Sequence, residues 1–319
     1  MNQGTDLPVM LFVKNALSIL LVAVELKCLR EVEILRVIRG MGSGAEPVEP
    51  LAVVKIFISA IQFATSSPPS SVNDLKVSAQ QQVEYVLNED DDAPLLVAVD
   101  EIRMEAKQCV NRLLARFGNL VESLVSESIA EAGKIESLEV YLNDLSWASE
   151  IVTKLETSSD FVLAWVDTSV NIVKVACPEN SSPGMQVKVL EVTAKVLEAI
   201  GYGSVILPTK KRVEMVKVWL PFVRVVKCSV DSGDNDPVLK PDGELWQSLE
   251  SALVTMILTL PSAEQAEILR EWLENKHIRY PDLTEAFEVW CYRSKVAKRR
   301  LMTASTATAA ATTMTCNRV

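Results

Sequence analysis

The sequence predicts an all-α protein built as a multi-helix array of stacked helix pairs. A solenoid is one arrangement that such pairs can adopt. Apolar residues recur three or four positions apart along most of the 319 residues. No alternating strand pattern and no hairpin turn signal interrupts them. The chain is 49% apolar and 23% charged with only 11 Gly and 14 Pro, a composition typical of a globular and helix-rich protein.

The helical segments follow one another along the chain, with short polar breaks rich in Pro, Ser, Asp or Gly between them. The patterns predict helices over Val9–Gly40, Val53–Thr65, Val72–Leu87, Asp100–Phe117, Leu120–Ala132, Ile135–Leu155, Asp160–Val175, Met185–Gly201, Lys210–Cys228, Glu244–Leu260, Ser262–Asn275 and Pro281–Leu301.

Local signals refine several of these helices. Pro221 is expected to kink or divide its helix, because proline removes a backbone donor and clashes with the preceding turn. The Gly201–Gly203 turn can supply a left-handed residue that closes a helix. Ser262 and Gln265 have the spacing of a capping box.

These segments predict one helical domain in two parts, residues 45–228 and 243–301, joined by a polar linker over 229–242. Residues 1–44 precede the domain. Residues 302–319 are rich in Ala and Thr and have little to bury, so a disordered tail is expected.

The charge balance argues against nucleic acid as a partner. Lys and Arg total 32 against 42 Asp and Glu, a net charge of -10 that repels a phosphate backbone. The most apolar run, residues 15–24, is too short to cross a membrane. The six cysteines are widely spaced with no CxxC pair, so we expect reduced, mostly buried thiols in the cytoplasm or the nucleus.

The motifs that could carry chemistry are weak, and the sequence predicts no catalytic, cofactor-binding or metal-ligating residue. His277, the only histidine, and Cys291 are the nearest approach to a nucleophile pair, but nothing orients the imidazole. The acidic run Glu89–Asp92 lacks the alternation and the midway glycine of a calcium loop. Gly40–Gly44 follows a helical pattern where a phosphate loop would follow a strand. The basic run Lys295–Leu301 fits either a last helical turn or a nuclear-import or nucleic-acid patch.

The stretch Arg279–Arg293, RYPDLTEAFEVWCYR, is interpreted as a packed terminal helix with Pro281 in its first turn. Leu283, Ala286, Phe287 and Trp290 share one face, with Cys291 at its margin. Replacing a tryptophan packed in this way by alanine is expected to cost about 3–5 kcal/mol.

Several long segments, in order, resemble the C-terminal helical region of a plant family of BTB/POZ-domain proteins. The segments are AEPVEPLAVVKIFISAIQFATS, LKVSAQQQVEYVLNEDD, VKVLEVTAKVLEAIGYGSVILPTKKRVEMVKVWLPFVR, LTLPSAEQAEILREWL and RYPDLTEAFEVWCYRSKVAKRRL. The likeness covers residues 45 to 301. Residues 1–44 are similar to the helices that follow the BTB fold in this family, so we expect them to be remnant helices behind a missing BTB domain.

The resemblance implies a non-enzymatic adaptor of a cullin-RING ubiquitin ligase, in which a BTB domain grips the cullin and the helical region recruits the protein to be ubiquitinated. The partners implied are a cullin and a ubiquitination substrate, with no cofactor, no nucleic acid and no membrane. The alternative is a helical scaffold or binding protein that has lost the cullin link.

Overall fold

The structure is a computed structural model that describes residues 50–67, 73–88, 97–126, 132–177, 181–232, 243–274 and 280–316. The expectations for residues 1–44, for Gly40–Gly44, for the acidic run Glu89–Asp92 and for His277 lie outside these residues. The predicted domain bounds stay predictions.

The described residues form ten α-helices and no strand, which confirms the all-α fold class. In chain order the helices are α1 (Pro50–Ala64), α2 (Asn73–Asn88), α3 (Asp100–Ser126), α4 (Ala132–Lys154), α5 (Ser159–Val175), α6 (Pro183–Gly201), α7 (Thr209–Ser232), α8 (Gly243–Leu258), α9 (Ser262–Glu274) and α10 (Thr284–Cys316).

The chain divides into two compact units, Met1–Trp165 and Val166–Val319, with the boundary inside α5. In the first unit α1 packs against α2 and α3, and α4 packs against the same two helices. Trp165 is buried in the core of this unit. Its ring stacks on the ring of Phe117, with centroids 5.6 Å apart, and on the ring of Phe161, with centroids 6.4 Å apart. Stacked aromatic rings at such distances add to the stability that their buried area provides.

In the second unit α8 packs most extensively on α6, and it also contacts α7 and α10. Trp219 of α7 is fully buried and meets Phe222 edge to face at 5.7 Å. The end of α6 is closed as the sequence predicts, because Gly203 has a φ of +84° and the Val205 amide donates to the Ala199 carbonyl at 2.9 Å. Ser182 caps its beginning, since its hydroxyl accepts from the Met185 amide at 3.2 Å.

Three local expectations are corrected by the structure. The helices predicted on either side of Gly118 are the single helix α3, because the buried Phe117 and Val121 flank the glycine and hold the backbone helical. Helix α7 continues past Pro221 to Ser232, so its proline does not divide it and the first four residues of the predicted linker are helical. The predicted capping box is replaced by another contact, in which the buried Gln265 donates to the carbonyls of Leu258 and Leu260 at 3.1 and 2.8 Å.

Helix α10 differs from its prediction at both ends. It begins at Thr284, three residues after Pro281, and the Asp282 carboxylate accepts from the Thr284 amide at 2.9 Å. It runs to Cys316, so the basic residues from Lys295 to Arg300 lie in its middle and not in its last turn. The disordered tail expected over residues 302–319 stays a prediction.

The packed face of α10 is narrower than its spacing predicts. Leu283 and Ala286 are buried, whereas Phe287, Trp290 and Cys291 are half-buried. Phe287 and Trp290 stack on each other at 6.5 Å.

Candidate functional site

A groove lies in the first unit, between the end of α1 and the middle of α3. It encloses about 630 Å³, which is within the usual range for ligand-binding clefts. The groove is lined by three residues at the end of α1 and four on one side of α3, namely Gln62, Thr65, Ser66, Cys109, Arg112, Ala115 and Arg116.

Arg116 is held in the groove by neutral partners. Its Nη1 donates to Ser67 Oγ at 3.0 Å and its Nη2 donates to the Thr65 carbonyl at 2.7 Å. Its Nε is buried without a hydrogen-bond partner. Among the described residues no carboxylate pairs with this guanidinium, so no described side chain neutralises its positive charge.

Arg112 lies one helical turn before Arg116 and is more exposed. Its Nη2 donates to Glu105 Oε1 at 3.2 Å and approaches Cys109 Sγ at 3.0 Å. Gln62 Nε2 donates to the same Glu105 oxygen at 3.0 Å. These contacts hold the pKa of the Glu105 carboxyl below its ordinary value, chiefly through the Gln62 hydrogen bond and against the effect of burial. Glu105 is therefore ionised at neutral pH.

The end of α1 does not place free negative charge in the groove. The last carbonyls of a helix have no partner within the helix and carry partial negative charge. Here the Ala64 carbonyl accepts from Gln80 Nε2 at 3.1 Å, and the Phe63 carbonyl accepts from the Ser66 hydroxyl at 2.7 Å. Arg116 likewise donates to the Thr65 carbonyl. The partial negative charge of these carbonyls is therefore offset by hydrogen-bond donors.

Cys109 forms part of the groove wall but is not a nucleophile candidate. Its side chain is buried, and burial raises the pKa of the thiol despite the hydrogen bond from Arg112. A thiol with a raised pKa stays protonated at neutral pH. Of the four cysteines whose side chains are described, only Cys109 is buried, so the prediction of mostly buried thiols is too broad.

The structure leaves the candidate pair of the sequence, Cys291 and His277, untested. Cys291 lies half-buried on α10, and His277, its proposed partner, is outside the described residues. The basic residues from Lys295 to Arg300 lie on an exposed stretch of the same helix, apart from the half-buried Val296. The absence of a catalytic, cofactor or metal residue stays a prediction.

Sequence reasoning missed the groove. The spacing of Arg112 and Arg116 on a helix is visible in the sequence, but Thr65 and Ser67, which hold Arg116, directly follow α1 and lie 51 and 49 positions earlier. Within the described part of the chain, no three His, Cys, Asp or Glu side chains are grouped as metal ligands, and no helix has the length and apolarity needed to span a membrane.

Comparison with known proteins gives one family. The model of the BTB/POZ ankyrin-like repeat matches residues 87–297. A BTB/POZ domain-containing protein of Arabidopsis thaliana is 51% identical over 91% of this chain and 74% of its own length. Two others from the same plant are 29% and 25% identical over 61% of this chain, which covers only 34% and 35% of their lengths. No solved structure matches the chain.

Proposed function

The chain belongs to the BTB/POZ ankyrin-like repeat family, and from this membership we propose that it is a non-enzymatic protein-interaction protein that serves as a substrate adaptor of a cullin-RING ubiquitin ligase. The observation that carries the proposal is the family match over residues 87–297, because it covers most of the described helices. In this function the helical region recruits the protein to be ubiquitinated.

The groove of the first unit supports a recruiting role. It is a concave surface that carries two arginines, a residue type enriched among the anchors of protein–protein contacts. No group in it has the arrangement of a nucleophile with an activating base, because the thiol of Cys109 is buried with a raised pKa. The arrangement of the groove therefore favours binding of a partner over catalysis.

A helical scaffold without a cullin link is the second candidate. A BTB domain contains strands as well as helices, and the described residues contain no strand. In this alternative the chain still binds a protein partner but does not connect it to the ligase.

Co-precipitation separates the two candidates. The full chain carrying an affinity tag is expressed with a cullin, beside the Arabidopsis relative that is 51% identical, tagged in the same way as the reference. An adaptor is expected to retain the cullin to the same extent as this relative. If the relative retains the cullin and the chain does not, the adaptor function is refuted and the scaffold remains.

We place the protein in the cytoplasm or the nucleus, where cullin-RING ligases act. The free state of Cys109, Cys177, Cys228 and Cys291 supports a reducing compartment. A fluorescent fusion of the full chain is expected to label one or both compartments, and a signal confined to the secretory pathway would contradict this placement.

A further inference from the structure

We propose that the groove between α1 and α3 binds an anionic group, a carboxylate or a phosphate, on a peptide segment of a partner protein, with Arg112 and Arg116 as the residues that hold it. The inference rests on the part of the proposed function that makes this chain a protein-binding protein. It does not rest on the link to a cullin.

The first step is the charge of Arg116. Transferring a guanidinium into a partly buried position costs solvation energy that a carboxylate normally repays. The partners of Arg116 are a hydroxyl and a backbone carbonyl, and among the described residues no acidic side chain pairs with it. The groove therefore contains a fixed cation whose counter-charge comes from outside the described residues.

The second step is the hydrogen-bonding capacity of Arg112. Its hydrogen bonds to described residues all use Nη2, and its side chain is 63% exposed. The remaining donors can reach a ligand in the groove. Since residues four positions apart on a helix are neighbours, Arg112 and Arg116 can hold the same anion from two sides. Guanidinium groups suit carboxylates and phosphates because their planar donors bind two oxygens at once.

The third step is the sign of the local field. Two guanidinium groups and the Glu105 carboxylate leave one net positive charge around the groove. Glu105 is already engaged by Gln62 and Arg112. The chain as a whole carries a net charge of -10, so the groove is opposite in sign to the protein's overall charge and attracts a partner's acidic residue.

The size of the groove favours a peptide over a free ion. A volume of about 630 Å³ is larger than a single carboxylate or phosphate fills. Gln62 and Ser66 in the lining offer polar atoms to a peptide backbone, and Ala115 offers a small apolar contact. Recognition of acidic or phosphorylated motifs by paired arginines is a recurring mode of peptide binding.

The experiment uses the full chain and peptide libraries with one fixed central residue and randomised flanks. The fixed residue is glutamate, glutamine, phosphoserine or serine in four otherwise identical libraries, and retention on the immobilised chain is measured for each. We expect glutamate over glutamine, or phosphoserine over serine, to be enriched at least about tenfold, as a charge-assisted hydrogen bond allows. Which of the two pairs shows the enrichment identifies a carboxylate or a phosphate as the ligand.

The variants test the assignment to the groove. Arg112→Gln and Arg116→Gln are each expected to reduce the enrichment by about tenfold or more. Arg270→Gln, on the exposed side of α9, removes the same charge elsewhere and is expected to leave it unchanged. Because Arg116 also holds the end of α1, the far-ultraviolet circular dichroism and the melting temperature of each variant are recorded. Arg112 is the more exposed of the two and keeps the test valid if Arg116→Gln does not fold.

Three outcomes overturn the proposal. One is equal retention of charged and neutral libraries, and another is an enrichment that persists in Arg112→Gln. The third is binding of inorganic phosphate, measured by calorimetry, without any preference among the peptides. A chain that selects anionic peptides but fails to retain a cullin refutes only the adaptor function, so the two failures are distinguishable.

Discussion

Lys76 and Asp144 form an ion pair inside the first unit, with Lys76 Nζ 2.5 Å from Asp144 Oδ2 and side chains only 4% and 9% exposed. Gln80 Nε2 donates to the other carboxylate oxygen at 3.0 Å. Trp147 Nε1 in turn donates to the Gln80 carbonyl at 3.3 Å. Through this network α2 and α4 are held in one register.

Asp144→Ala is expected to destabilise the first unit by about 3–5 kcal/mol, because it leaves the Lys76 ammonium buried without its counter-charge. Urea unfolding followed by circular dichroism measures the loss. An exposed pair gives the matched control: Asp160→Ala removes the partner of Lys107, whose side chain is 45% exposed, and is expected to cost about 1 kcal/mol or less.

The double variant Lys76→Met, Asp144→Leu separates the charge effect from the packing effect. Two apolar side chains of similar volume need no counter-charge, so the double variant is expected to recover most of the stability lost in Asp144→Ala. A double variant as unstable as the single one would show that packing, and not an unpaired charge, explains the loss.

The helices could be predicted because their signal is local. Each one needs only an apolar face repeated every three or four residues and a polar break, and these lie within its own segment. Gly118 misled the prediction because its preference is local too, while the burial of Phe117 and Val121 beside the glycine decides the outcome. Tertiary packing overrides a single unfavourable residue.

The ion pair and the groove could not be predicted in the same way. Lys76 and Asp144 are 68 positions apart, and Arg116 and Thr65 are 51 apart. In the sequence each of these residues is an ordinary polar residue on a helical face. Only the packing of α2 on α4 and of α1 on α3 brings the partners together, and periodicity does not say which faces meet.

Gln62→Leu is expected to lower the melting temperature at pH 7 by about 1–2 °C and to have less effect at pH 3. The Gln62 hydrogen bond is the main cause of the lowered pKa of Glu105. The folded-state pKa of Glu105 lies below its ordinary value of 4.5, so the stability that the Gln62 hydrogen bond adds is fully present above pH 4.5. This stability is lost as the pH falls through the folded-state pKa of Glu105. Gln108→Leu, exposed on α3, the helix that carries Glu105, is the control. An effect of Gln62→Leu that is equal at both pH values would contradict the assignment.

Cys109 is expected to react with iodoacetamide about 100-fold more slowly in the folded chain than in the unfolded chain at pH 7.5. The thiol is 1% exposed, and burial raises its pKa, so little thiolate is present and the reagent cannot reach it. Mass spectrometry of the peptide that contains Cys109 measures the rate, and the loss of this peptide's label in Cys109→Ser confirms the assignment. Similar rates in the folded and unfolded chain would mean that the groove wall opens far more often than its packing indicates.

Trp290→Ala is expected to destabilise the second unit by about 1.5–3 kcal/mol, less than the 3–5 kcal/mol of a fully buried tryptophan. The ring is half-buried, stacks on Phe287 and donates from Nε1 to the Ser262 carbonyl at 3.0 Å. Trp290→Phe keeps the aromatic contact and loses the donor, so it is expected to cost about 1 kcal/mol. Tyr292→Ala, whose side chain is 71% exposed on the same helix, is expected to change the unfolding free energy by about 0.5 kcal/mol or less. Equal losses for Trp290→Ala and Tyr292→Ala would refute the contact between the starts of α9 and α10.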